Sequence, residues 1–121
     1  AMVKDLDLGI EIIGVPTFRE DDGLALSSRN AYLNDKQRRI APSLYDTLQL
    51  VAQKVKDGAD PSRAKADGTM HLLSNGFRRV DYIDIRDAET LAPFNPARHN
   101  SGRILGAAWL GQTRLIDNIP L

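Results

Sequence analysis

Apolar residues fall at helical spacing from Ile40 onward: Ile40, Leu44, Leu48, Val51 and Val55 recur at steps of four and three. That pattern belongs to a helix with one buried stripe. Just ahead of it, Asn34 and Gln37 stand three apart, the spacing of a helix cap and its reciprocal partner. Pro42 falls inside the stripe and removes one amide donor. The spacing therefore predicts a short helix to about Ala41 and a longer one from Pro42 to Lys56. "DGADP" closes the second helix. Asp60 and Pro61 open another, because aspartate caps well and proline suits the first helical position. This helix, Pro61 to Ser74, reads as the weaker one because Gly68 interrupts it, and Asn75 with Gly76 supplies a left-handed stop.

The period then changes. "RVDYIDIRD", Arg79 to Asp87, alternates as a strand does, and "ETLAPFNPARHNSG" with its two prolines is a loop. "RILGAAWLGQTRLIDNI" reads as two strands about a tight turn at Gly111 and Gln112, with glycine first as a type II′ turn requires. Together these elements predict an α+β fold, a small three-stranded antiparallel sheet with helices on one face. "GIEIIGVP", Gly9 to Pro16, stands apart. It is a short, almost wholly apolar run of the kind buried on both faces inside a parallel sheet. No other segment resembles it and no βαβ repeat follows, so it reads as an orphan strand from a sheet that lies elsewhere.

At 121 residues the chain has the size of one domain, small for a two-substrate enzyme with its own cofactor fold. Sixteen basic and sixteen acidic residues cancel without forming blocks, which argues against a nucleic-acid partner. The absence of cysteine excludes disulfide scaffolds, thiolate zinc sites and cysteine nucleophiles, and leaves the cytoplasm as the default compartment. No apolar run approaches the ~20 residues of a membrane helix, and the start of the chain lacks a signal-peptide apolar stretch, so no membrane partner is expected.

The candidate chemistry lies in "PTFREDDGLALSSRNAYL", Pro16 to Leu33. Ser27, Ser28 and Arg29 place two hydroxyls and a guanidinium beside the free amides of a following helical turn, a donor set suited to a phosphate or pyrophosphate. The preceding "REDDG" reads as a flexible, solvated arm freed by Gly23, and a mobile arm carrying phosphate donors suits a lid. The bland alternative is that Ser28 or Asn30 caps a turn and nothing more.

Other residues carry less. His71 and His99 have no carboxylate or second histidine at metal spacing, and Asp21 with Asp22 reads as a solvated turn rather than a magnesium site, so no metal site is expected. Asp81, Asp84 and Asp87 serve strand ends and salt bridges. The pairs Arg38, Arg39 and Arg78, Arg79 read as solvated faces, and Trp109, between alanine and leucine in a strand, as core.

"VKDLDLGIEIIGVPTFREDDGLALSSRNAYL", followed by "RRIAPSLYDTL", "DYIDIRDAETL" and "ILGAAWLGQTRLIDN", resembles the C-terminal part of the pantothenate synthetase (pantoate:beta-alanine ligase) family, from about Val3 to Asn118. The resemblance implies that residues 1–16 are the last strand and connection of a Rossmann-type nucleotide-binding domain otherwise missing from this chain. Residues 17–121 would be a C-terminal lid domain. It implies ATP contacts by Phe18, through its backbone, and by Leu26, Ser27, Ser28 and Arg29, with Ser27, Ser28 and Arg29 acting in catalysis. The chemistry implied is adenylation of pantoate by ATP with Mg2+, followed by attack of beta-alanine. The family's His-x-Gly-His motif and pantoate-binding glutamines have no counterpart in this chain, so the chain alone is expected to be inactive. The competing expectation is a non-catalytic interaction module docking through the strand and the amphipathic helix. A strand left without its sheet exposes Ile10, Ile12, Ile13 and Val15, which predicts a homodimer formed by strand pairing.

Overall fold

The computed structural model describes residues 18–96 and 101–121. The expected strand at Gly9 to Pro16, the dimer built on it and His99 lie outside the described residues.

Local chemistry sets the helix bounds. The Asn34 side chain accepts from the Gln37 amide at 2.8 Å and Gln37 Oε1 accepts from the Asn34 amide at 2.9 Å, starting α1, Asp35–Ile40. Pro42 then parts α1 from α2, Ser43–Lys56, whose buried face is Leu44, Thr47, Leu48, Val51, Ala52 and Val55. Asp60 accepts from the Arg63 amide and begins α3, Pro61–Ser74. Only Gly76 adopts the left-handed conformation at the end of α3, with φ of 110°, whereas Asn75 sits at φ −89°.

Gly68 does not weaken α3 by interrupting it. The helix runs through Gly68, which is buried, and a Cβ there would meet Val51 Cγ2 at 2.7 Å and Ile83 Cδ1 at 2.9 Å. The missing side chain lets α2, α3 and the sheet close on one another, so the propensity cost of glycine is offset by packing.

Strands β1, Arg79–Asp87, β2, Gly102–Leu110, and β3, Thr113–Pro120, form the antiparallel sheet in sequence order, the α+β architecture expected. Gly111 turns β2 into β3 with φ of 61°, while Gln112 keeps negative φ, as in a type II′ turn. The helices cover one face: Ile83, Ile85, Ile104, Ala108, Leu115 and Ile119 join Leu44, Leu48, Val51 and Leu72 in one core. At Gly106 the backbone of β2 comes so close to α2 that a Cβ would lie 3.0 Å from Leu48 Cδ2.

Trp109 is not in that core. It alternates with Ala108 and Leu110 onto the other face of the sheet, partly exposed. Its indole Nε1 donates to Asp81 Oδ2 at 3.0 Å, and the guanidiniums of Arg78 and Arg79 lie 5.4 and 5.3 Å from its ring. The two arginines are thus engaged rather than simply solvated. Asp81 also accepts from Arg114 at 2.8 Å, and that hydrogen bond, foremost, holds its carboxyl below the usual aspartate value. Asp84 pairs with Arg86 and Lys65, and Asp87 accepts from the amide and hydroxyl of Thr90, so all three carboxylates of β1 serve ion pairs or turns.

Among the described residues no helix is long and apolar enough to cross a membrane, and no three potential metal-ligating side chains cluster.

Candidate site on the hairpin before the first helix

The segment ahead of α1 is a closed hairpin, not the free arm that its charges and glycine suggest. Arg19 and Ala25 form an antiparallel bridge, Leu26 donates its amide to Phe18 O at 2.9 Å, and Glu20 donates to Leu24 O at 2.8 Å. Gly23 makes the turn with φ of 95°. A Cβ there would run into the Tyr45 ring, so only glycine fits both the backbone and the space. Leu24 is buried in the core.

Asp22 ties the outer side of this turn to α1, accepting from Arg38 at 2.6 and 3.2 Å. The Arg38 hydrogen bond is the main cause that holds the Asp22 carboxyl below its usual value. Asp22 and Arg38 are therefore an ion pair, where the sequence suggests a solvated turn and a solvated face; Asp21 is exposed.

The inner side is held by Arg19. Its guanidinium donates to both carboxylate oxygens of Asp117, at 2.6 and 2.9 Å, to Gly23 O at 3.0 Å and to Asn118 O at 3.1 Å, and it lies 4.0 Å from the centre of the Tyr45 ring. Burial pushes the Asp117 carboxyl up, while the Arg19 hydrogen bonds draw it back. Neither residue was legible as functional. Arg19 was one charge in a charged loop, and Asp117 lies 98 positions away.

From this base the chain emerges at Leu26 and enters a 3-10 turn, Ser28–Tyr32. Ser27, rather than Ser28 or Asn30, caps that turn: its Oγ accepts from the Arg29 amide at 3.1 Å. Asn30 instead donates its side-chain amide to Ala25 O at 3.0 Å, locking the turn onto the hairpin. Leu26, Ser27, Ser28 and Arg29 are all exposed, and among the described residues the Arg29 side chain has no hydrogen-bond or ion-pair partner. The two serine hydroxyls keep their protons available to an acceptor, since Ser27 Oγ is engaged only as an acceptor. Phe18 and Tyr32, with 75% and 78% of their surfaces accessible, stand exposed on the same segment. Among the described residues the corner thus offers an unpaired guanidinium and two hydroxyls beside exposed apolar groups, on a hydrogen-bonded hairpin. His71 sits exposed on α3 with no such company.

Over residues 1–120 the chain matches the family described as Pantoate-beta-alanine ligase. It is 52% identical over 118 residues to the pantothenate synthetase of Rhodospirillum rubrum, covering 98% of this chain and 42% of that protein. It is 48% identical over 120 residues to that of Dinoroseobacter shibae, covering 99% of this chain and 43% of that one. Among solved structures, pantothenate synthetase from Thermus thermophilus superposes with a TM-score of 0.74 at 40% identity, over 87% of this chain and 38% of the other. Pantoate-beta-alanine ligase from Francisella tularensis, described as complexed with beta-gamma ATP and beta-alanine, gives 0.57 at 30% identity, over 87% and 31%. The chain therefore spans around two-fifths of the length of the curated relatives it matches, 42% of the first of them. With its three-stranded sheet, its helical layer and nearly its whole length accounted for by these matches, the chain belongs to the pantoate-beta-alanine ligase family.

Proposed function

We propose that this chain is the C-terminal lid of an ATP-dependent ligase that joins pantoate to beta-alanine. In this reading residues 1–16 lead out of a nucleotide-binding domain, residues 17–121 form the lid, and the enzyme works in the cytoplasm. The observation that carries it is the unpaired Arg29 guanidinium beside Ser27 and Ser28 on one exposed corner. A phosphate-binding group needs donors that its own fold does not already use, and among the described residues no partner takes those of the Arg29 side chain.

The reaction proceeds in two steps. The pantoate carboxylate attacks the α-phosphorus of ATP, the bond to the bridging oxygen breaks, and pyrophosphate leaves. The amine of beta-alanine then attacks the acyl carbon of the adenylate, loses a proton and releases AMP. Mg2+ enters with ATP as part of the substrate complex. Negative charge grows on the pyrophosphate as it departs, and the planar fork of Arg29 with the two serine hydroxyls supplies donors for it. Phe18 contacts the nucleotide through its backbone and Leu26 flanks it. Closing this corner over the site keeps water from the acyl-adenylate.

The test is Arg29→Ala in the full-length enzyme, with AMP release followed against ATP concentration. Loss of one charged donor to the leaving group lowers kcat/KM for ATP by about 10²-fold or more. A variant with unaltered ATP kinetics would refute the reading. The 121-residue chain alone is expected to give no pantothenate.

A further inference from the structure

The geometry points to Arg19, held by Asp117, as the positioning residue that aims the Leu26 to Arg29 segment. This rests on the proposed phosphate role of that segment. The terminal nitrogens of an arginine carry four N–H groups, and Arg19 has four acceptors for them: both oxygens of Asp117, Gly23 O and Asn118 O. One side chain thus joins the turn of the hairpin, at Gly23, to β3, at Asp117 and Asn118. The ring of Tyr45 covers a face of the guanidinium and brings α2 into the same contact. Asp117 in turn accepts the Asn118 amide at 2.7 Å, so the carboxylate that receives the fork is itself oriented.

The line from this clamp to the phosphate donors is short. Arg19 bridges Ala25 across the hairpin, Ala25 O accepts from Asn30 Nδ2, and the donors Ser27, Ser28 and Arg29 lie between Ala25 and Asn30. They are therefore held at both ends by groups that refer back to Arg19. Donors to a leaving group act only when pre-placed, and a displacement of about 1 Å is enough to cost 10²-fold in rate. Lysine cannot replace this arginine: a single ammonium nitrogen cannot reach two carboxylate oxygens in one plane and two carbonyls on separate elements.

Two measurements test the assignment. In the 121-residue chain, amide hydrogen exchange is compared between the parent and Arg19→Lys, with Asp117→Asn as a second variant should the first fold poorly. Exchange at Gly23 and Leu26 is expected to rise tenfold or more, and by a larger factor than at Leu48 and Val51 in α2, which report the global stability. Unchanged exchange at Leu26 overturns the proposal. In the full-length enzyme, Arg19→Lys is expected to lower kcat/KM for ATP, per active enzyme, about tenfold while KM for beta-alanine stays the same. Its effect combined with Arg29→Ala should be less than the product of the two. A purely structural role would lower the yield of active enzyme and leave kcat/KM for ATP, per active enzyme, in place, and that result also overturns it. If Arg29→Ala itself leaves ATP kinetics unaltered, the phosphate reading fails and the aiming role falls with it, whatever the exchange data show about the clamp.

Discussion

Gly68 and Val51 touch where α3 crosses α2, so closely that a Cβ on Gly68 would sit 2.7 Å from Val51 Cγ2. Valine is stiff at χ1 and cannot swing that methyl aside. Replacing Gly68 by alanine adds about 1 kcal/mol of helix propensity and costs about 1–3 kcal/mol of overpacking. Gly68→Ala is therefore expected to be net destabilising by about 1 kcal/mol, read as a lower denaturant midpoint at constant slope. An exposed glycine in the same helix would give the opposite sign, so a stabilised variant would show that the contact can relax.

The Asn34 cap offers a second test. Its side chain and that of Gln37 each satisfy the other's backbone amide. Asn34→Ala leaves the Gln37 amide to water and is expected to cost about 1 kcal/mol. Because α1 is only Asp35–Ile40, the loss should appear as faster amide exchange confined to that helix.

Asp117 and Arg19 form the costliest pair to break. The Asp117 side chain is 2% exposed, so Arg19→Ala strands a buried carboxylate, a loss of about 3–5 kcal/mol. The double variant Arg19→Met, Asp117→Leu removes both charges and should be more stable than Arg19→Ala alone. Urea unfolding of the three chains decides it, and equal loss in both variants would mean that the hairpin contacts outweigh the stranded charge.

Asp81 gives a pH prediction. Its carboxyl is lowered chiefly by the Arg114 hydrogen bond, so the pair contributes fully above the ordinary aspartate value of 3.8 and is lost as pH falls through the lowered value. Trp109 reports on it directly, since its indole donates to the same carboxylate. The indole N–H resonance should move on acidification with a midpoint below 3.8. A midpoint at or above that value would mean that the ion pair does not form in solution.

Much of this protein was written locally. The starts of α1 and α3, the break at Pro42, the strand from Arg79 and the II′ turn at Gly111 each depend on residues within a few positions of one another. Caps, missing amides and periodicity act over that range, so the sequence by itself determined the elements and the fold class. It also singled out Ser27, Ser28 and Arg29, because their chemistry is carried by residue type.

What the tertiary structure alone decided depends on groups far apart in the chain. Gly68 looked like a defect until Val51 and Ile83 stood against it. Trp109 looked like core because the alternation of a strand tells which residues share a face but not which face meets the helices. The "REDDG" arm looked free because its tethers, Asp117, Tyr45 and Arg38, come from three other elements. Composition records that these charges exist; only the closed fold brings Arg19 and Asp117, 98 positions apart, within 2.6 Å and so turns a charged loop into a tethered hairpin.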